Sequence, residues 1–269
     1  MKETMKNLVY KKVDWSALTN MKEAYLDTLQ RKTDGFHADM LFEAEPCIIE
    51  ADGIPVGFFA LGNGWDGGKM LTGFYLEKAY TASAQDLFSR IMAEFNVTAA
   101  LVASNDALLV ALAFEKMNAL GTSFVMQAYN FTFGLPARPA EFGPECLVPV
   151  LPSEYEEINK RTDGQWDGCF DNPAFRYFAL KKDGETLGYG SIFPVRQDAQ
   201  RMDIGNFTLP QHRRKGVGRS LLIHLAQIVL SEGKTPVAGC WYGNKESIPT
   251  IKSSGFLPET RLFYVRFIK

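Results

Sequence analysis

The sequence predicts an α/β protein built from two successive copies of one unit, each a mostly antiparallel mixed sheet flanked by helices. Three observations carry that expectation. Apolar spacing switches repeatedly between the period of a strand and the period of a helix. The order of strands, turns and helices in the first half recurs in the second. Between the halves lies Leu-Pro-Ala-Arg-Pro-Ala-Glu-Phe-Gly-Pro, from Leu135 to Pro144, whose three prolines in ten residues read as a stiff connector. The expected division is a first domain over 1–135, a connector over 136–145 and a second domain over 146–269.

In the first half, residues 8–13 read as a strand and 16–29 as a helix, with Ser16 as its cap and Leu18, Met21, Tyr25, Leu26 and Leu29 on one face. A short helix over 36–42 follows. Strands over 46–51 and 55–61 meet at Asp52-Gly53, a hairpin signal. A glycine-rich loop leads to a strand over 71–76, then come a helix over 84–95, a strand over 99–103, a helix over 106–117 and a strand over 121–133.

The second half takes the same order. A short strand over 147–149 precedes a helix over 153–160 capped by Ser153, and an irregular loop over 162–173. A hairpin of 175–181 and 186–194 turns at Asp183-Gly184. Then come a strand over 202–209, a helix over 218–231, a strand over 236–241, a helix over 244–253 and a last strand over 260–268. Residue matches support the repeat. Asp52-Gly53 through Phe58 matches Asp183-Gly184 through Tyr189 at an offset of 131, Phe74-Tyr75-Leu76 matches Phe207-Thr208-Leu209 at 133, and Asn105 matches Asn244 at 139. The last six residues of that growth in offset fall between Leu209 and Asn244.

That interval holds Pro210-Gln-His-Arg213-Arg214-Lys215-Gly216-Val217-Gly218-Arg219. Pro210 ends a strand because it brings no N–H to the ladder. From Val217 the apolar positions Leu221, Leu222, Leu225, Ile228 and Val229 follow helical spacing. Glycines at such a turn let the backbone approach a ligand, and the free amides of a helix N-terminus favour an anion. With three consecutive cations beside them, a phosphate-bearing ligand is the natural reading. The first copy has Glu77-Lys78-Ala79-Tyr80-Thr81-Ala82-Ser83 there, with no glycine and no cation cluster. A rival phosphate motif, Gly62-Asn63-Gly64-Trp65-Asp66-Gly67-Gly68-Lys69-Met70, fails the nucleotide-loop spacing and reads as a flexible hairpin loop.

Composition narrows the class further. A hydrophobic share of 46% suits a globular protein, and a net charge of −2 gives no footprint for nucleic acid or an anionic membrane. No signal-peptide stretch follows the N-terminus, and the longest apolar run, from Ala107 to Phe114, is too short to span a bilayer. Cys47, Cys146, Cys169 and Cys240 are scattered and only His37, His212 and His224 accompany them. The expectation is free thiols in a reducing cytoplasm and no metal.

Strand, Pro-x-x-Arg-x-x-Gly-x-Gly and helix together resemble the acetyl-CoA-binding signature of the GCN5-related N-acetyltransferase (GNAT) superfamily. Asn244-x-x-Ser247 followed by Gly255-Phe256 resembles that family's closing block. The resemblance covers 147 to the C-terminus, and the first half resembles a degenerate copy, so the whole resembles a tandem GNAT protein. It implies central strands splayed apart in the second copy. Backbone groups of Phe207, Thr208 and Leu209 would pair with the pantetheine arm of acetyl-CoA, and Asn244 would steady that arm. The amides of Arg214, Lys215, Gly216, Val217, Gly218 and Arg219 would hold the pyrophosphate. Arg213, Lys215 and Arg219 are point charges in reach of phosphate or solvated side chains.

The reaction implied is direct attack of a primary amine on the thioester in a ternary complex. The Leu209 N–H is the candidate donor to the thioester carbonyl. Family members often carry a tyrosine seven residues after the Asn to protonate the thiolate, but Ile251 stands there. Tyr242 is the candidate substitute, against a packed strand-end tyrosine, and Asp203 the candidate base, against an ordinary exposed aspartate. Asp167 and Asp171 either contact a cationic acceptor or belong to a polar loop, and Trp166 and Phe170 either wall an acceptor pocket or anchor that loop. Two other functions stay open: a non-catalytic acyl-CoA-binding module, and aminoacyl transfer from tRNA, which the lack of a basic stripe outside the turn opposes.

Overall fold

The computed structural model describes residues 8–120 and 123–267, with side chains except over 116–127. The N-terminal segment 1–7, Gly121 and Ile268, to which expectations were attached, lie outside the described residues. The first run of elements is β1 (Leu8–Lys12), α1 (Thr19–Thr28), α2 (Gly35–Phe42), β2 (Glu45–Ala51), β3 (Ile54–Asn63), β4 (Lys69–Leu76), α3 (Ala84–Glu94), β5 (Val97–Ala103), α4 (Ala107–Leu120) and β6 (Ser123–Phe133). The second is β7 (Leu147–Pro149), α5 (Tyr155–Arg161), β8 (Arg176–Lys182), β9 (Glu185–Val195), β10 (Asp198–Thr208), α6 (Val217–Ser231), β11 (Thr235–Trp241), α7 (Ser247–Ser253) and β12 (Phe256–Arg266).

Local chemistry explains the repeat. Asp52 and Gly53 have φ of 52° and 79°, and Asp183 and Gly184 have 50° and 80°. Both pairs are left-handed two-residue turns whose twist matches the flanking strands, which is why Asp-Gly marks each hairpin. The serine caps are a correction. Neither Ser16 nor Ser153 caps a helix with its side chain: a 3-10 turn precedes α1 and another precedes α5. At the second, the Glu154 carboxylate accepts the Leu151 N–H instead.

The chain divides into two compact units. One holds the described residues up to Thr33, His37–Ala128 and those from Thr260 on; the other holds Asp34–Phe36 and Tyr129–Glu259. These differ from the expected 1–135 and 146–269 because the last strand of each copy is exchanged. In the first unit the strand order is β1-β2-β3-β4-β5-β12, with Leu262↔Ala103 to Arg266↔Ala99 pairing β12 to β5. In the second unit it is β6-β11-β10-β9-β8-β7. Leu262, Val265 and Phe267 are buried in the first unit, as Phe131 is in the second. A strand goes where its apolar face is covered, whichever copy encodes it.

In the second unit β10 pairs antiparallel with β9 and parallel with β11. Leu222, Leu225, Ala226 and Val229 on one face of α6 pack on Met202, Ile204, Ala238 and Phe256. Burying each of these side chains other than the alanines contributes about 1.5–3 kcal/mol. Val217 and Leu221 also pack, with Leu180 and Leu187, so α6 is held along its length and its N-terminus is set at the end of β10.

Candidate functional site

The ladder between β10 and β11 ends at Asp203↔Val237, while β10 continues to Thr208 and β11 to Trp241. The central strands therefore splay, as expected. Which backbone groups face the opening follows from strand parity. The Leu209 N–H donates to the Leu187 carbonyl of β9 at 3.1 Å. Alternation along an antiparallel strand then turns Phe207 to β9 as well and leaves the N–H and C=O of Asn206 and Thr208 facing the opening. This corrects the expectation for Leu209 and Phe207. Leu209 is itself buried, and the free strand edge belongs to Asn206 and Thr208.

Beyond Pro210 the chain makes one 3-10 turn and then Arg214 and Gly216 take left-handed φ of 63° and 79°. Such alternation gathers successive amides into an anion-binding concavity. The first helical hydrogen bond is Ser220 N–H to Gly216 C=O at 3.0 Å. Among the described residues, the amides from Arg214 to Arg219 donate to no other group of the chain. Gly218 sits where a Cβ would lie 3.0 Å from Asn206 Nδ2, 3.0 Å from Thr250 Cγ2 and 3.2 Å from Thr208 Oγ1, so any side chain there would fill the space between β10, α6 and α7.

These elements border one cleft of about 840 Å³. It brings together Phe207, Thr208, Arg213, Arg214, Gly216, Val217, Gly218, Arg219 and Asn244. Asn244 accepts the Ser247 N–H on Oδ1 at 3.1 Å, which fixes it at the start of α7. The cleft wall also includes Gln165, Asn206, Ser247 and Thr250, which sequence reasoning missed. Strand parity counted back from Pro210 signals Asn206, and the i, i+3 spacing on α7 signals Ser247 with Thr250; nothing local signals Gln165.

The cations divide. Arg219 Nε donates to the Pro139 carbonyl at 3.0 Å and its Nη2 lies 3.3 Å from Glu141 Oε2. Ser220 Oγ accepts the amides of Glu141 and Phe142, and His224 Nε2 lies 2.7 Å from the Phe142 carbonyl. The connector is thus strapped along the first turns of α6 rather than standing free as a spacer. Arg213 pairs loosely with Glu246 at 3.8 Å, both exposed, a pair of little energetic weight. Lys215 is exposed and outside the cleft wall.

The proposed acid and base do not line the cleft. Tyr242 is exposed and stacks on Tyr129, centroids 5.5 Å apart. Asp203 lies on the sheet face opposite α6, where its Oδ2 accepts the Gly35 N–H at 2.7 Å. Ile251 is a buried member of the α6 core and does not line the cleft. Trp166 is buried and Phe170 stacks on Tyr155 at 4.8 Å, so both anchor the loop over 162–173. Asp167 takes N–H bonds from Asn159 of α5 and from Gly168 of that loop. Burial pushes the Cys240 thiol up to about 11, which keeps it protonated and inert. Among the described residues no cluster of His, Cys, Asp or Glu is arranged to hold a metal, and no helix is long and apolar enough to cross a membrane.

Two sequence profiles match the chain: one described as an acetyltransferase (GNAT) domain over residues 14–132, and one described as the acetyltransferase (GNAT) family over 141–256. Among solved structures, a GNAT-family acetyltransferase from Colwellia psychrerythraea is similar over 96% of this chain and 99% of its own, with a TM-score of 0.79 and 18% identity. A GCN5-related N-acetyltransferase from Sphaerobacter thermophilus is similar over 98% of this chain and 96% of its own (TM-score 0.63, 11% identity). A tandem GNAT protein from the clavulanic acid biosynthesis pathway covers 96% and 98% (TM-score 0.55, 14% identity). At these identities the likeness is one of fold. No curated protein sequence matches the chain.

Proposed function

From the premise that this chain belongs to the GNAT superfamily, with a match in each half, we propose that its second unit moves an acetyl group from acetyl-CoA to a primary amine. The observation that carries the reading is the run of unpartnered amides from Arg214 to Arg219 at the mouth of α6, facing a cleft whose other wall is an open strand edge. The residues present fit the donor. The left-handed turn at Gly216 and the absent side chain of Gly218 keep the concavity open. Acetyl-CoA supplies the acyl group already activated as a thioester.

The amides from Arg214 to Arg219 bind the diphosphate, with Arg214 and Lys215 adding charge from the exposed side of the turn. The outward N–H and C=O groups of Asn206 and Thr208 hold the pantetheine arm as a further strand, and Asn244 holds it from α7. An outward amide of β10 also polarises the carbonyl, a part that Leu209 cannot play while its N–H serves Leu187. The amine nitrogen forms a bond to the carbonyl carbon as the carbon–sulfur bond breaks. Its proton passes to water in the cleft, and the thiolate leaves and takes a proton from water. Ile251 offers no acid, and the cleft is open enough for water to serve.

A second reading has its own support. The buried Ile251 and the remote Tyr242 suit an acyl-CoA-binding module without turnover. Calorimetry with acetyl-CoA and thiol release over a panel of amines separate the two. Binding with release supports the transferase; binding without release from any amine supports the module; no binding removes both.

A further inference from the structure

The connector reaches the cleft of the second unit through one side chain. Arg219 lines that cleft, and its Nη2 lies 3.4 Å from where a Cβ on Gly216 would stand, so the guanidinium sits against the left-handed turn. A guanidinium is a planar fork of N–H donors with two edges, each presenting a parallel pair. The connector takes one edge: Nε donates to the Pro139 carbonyl at 3.0 Å, and Nη2 lies 3.3 Å from Glu141 Oε2. Nη1 has no partner among the described residues, so the edge it shares with the second N–H of Nη2 stays open. The other cations of the turn are not held in this way. Arg213, Arg214 and Lys215 are exposed, and Arg213 has only its loose contact with Glu246, whereas the Arg219 side chain is 17% exposed.

We infer that the connector is part of the donor site: Pro139 and Glu141 hold Arg219 so that its open edge takes a phosphate of the bound donor, which makes Glu141 a positioning residue. The inference rests on the proposed function for the name of the donor, though any diphosphate at the turn would meet the same edge. Two bonds from one edge fix the plane of the fork, and a fixed fork matches two phosphate oxygens at once. An arginine that closes on a phosphate loses side-chain freedom, and one already held by its other edge loses less. Glu141 acts in two opposed ways. Its carboxylate steadies Arg219, but its side chain is 61% exposed and its charge repels an incoming phosphate. Glutamine at this position keeps an acceptor and drops the charge, while alanine drops both. Neither change touches the Glu141 N–H, which donates to Ser220 Oγ at 2.9 Å, so the connector stays strapped to α6.

Calorimetry with acetyl-CoA on E141Q and E141A, each made with and without R219A, tests the assignment. Both Glu141 variants lack the charge, so the difference between them reports the hold on Arg219 alone. E141A should bind acetyl-CoA about 3- to 10-fold more weakly than E141Q, the scale of one hydrogen bond. With R219A the two should bind equally, because nothing is left to hold. In thiol release the same ratio should appear in KM for acetyl-CoA, with kcat and KM for the amine alike in E141Q and E141A. Equal affinities of E141Q and E141A, or a difference that persists in R219A, overturn the positioning role. Binding by the parent with no thiol released from any amine would instead remove the transferase reading and leave the calorimetric comparison to decide. If the parent binds no acetyl-CoA, inorganic pyrophosphate replaces it as the probe. Equal affinities of E141Q and E141A for pyrophosphate, or no binding by the parent, then overturn the inference as well.

Discussion

Gly216→Asp tests the cofactor site most directly. Gly216 has φ of +79°, and a Cβ there would lie 2.7 Å from Glu141 Cβ. Any side chain therefore meets two penalties: left-handed strain of about 1–2 kcal/mol, and displacement of the connector. Aspartate does not recover this by capping α6, since a capping side chain needs extended backbone and Gly216 is left-handed. Gly216→Ala carries the same strain without the charge and serves as the control; both variants should melt about 2–8 °C lower than the parent. The added carboxylate of Gly216→Asp stands about 6 Å from whatever the amides of the turn hold, which at a surface-like dielectric weakens a diphosphate by about 1–3 kcal/mol. Calorimetry should then give an acetyl-CoA Kd about 5- to 150-fold higher than that of Gly216→Ala. The gap should narrow as salt is added. Equal affinities for the folded Asp and Ala variants would refute the placing of the diphosphate at this turn.

Three further predictions concern stability. Asp106, buried at the start of α4, accepts the Tyr25 O–H at 2.7 Å and the Leu109 N–H at 3.0 Å, yet burial pushes its carboxyl up to about 6 from 3.8. The folded state therefore binds more protons between those values, so this group's contribution falls as pH rises from about 4 to 6 and the full cost, at most about 3 kcal/mol, persists above 6. Denaturant titrations of the parent and D106N should show a stability difference that changes across that window; a flat difference would refute the assignment. Ser220→Ala removes the acceptor for two connector amides and should cost about 1–2 kcal/mol, with faster cleavage by a glutamate-specific protease after Glu141; an unchanged cleavage rate would show the strap is weaker than its geometry. Ile251→Tyr should destabilise by about 1–3 kcal/mol through overpacking and bring no faster thiol release. A rate gain there would mean the position opens to the cleft.

Local signals explain what was legible in advance. Asp-Gly turns, the strand stop at Pro210 and the helical spacing from Val217 each depend on residues within a dozen positions. Such signals act before any distant contact forms, so the hairpins, the armed turn and the order of elements stood in the text. The serine caps failed for the same local reason in reverse: a 3-10 turn took the place of the expected first helical turn.

The chain by itself determined two copies of one unit and a glycine turn, in the second copy alone, suited to an anion. Only the tertiary structure decided that the copies trade their last strands, since pairing depends on which apolar face covers which. Three-dimensional pairing also decided that Asn206 and Thr208, not Leu209, face the opening, because one hydrogen bond to Leu187 sets the parity of the whole strand.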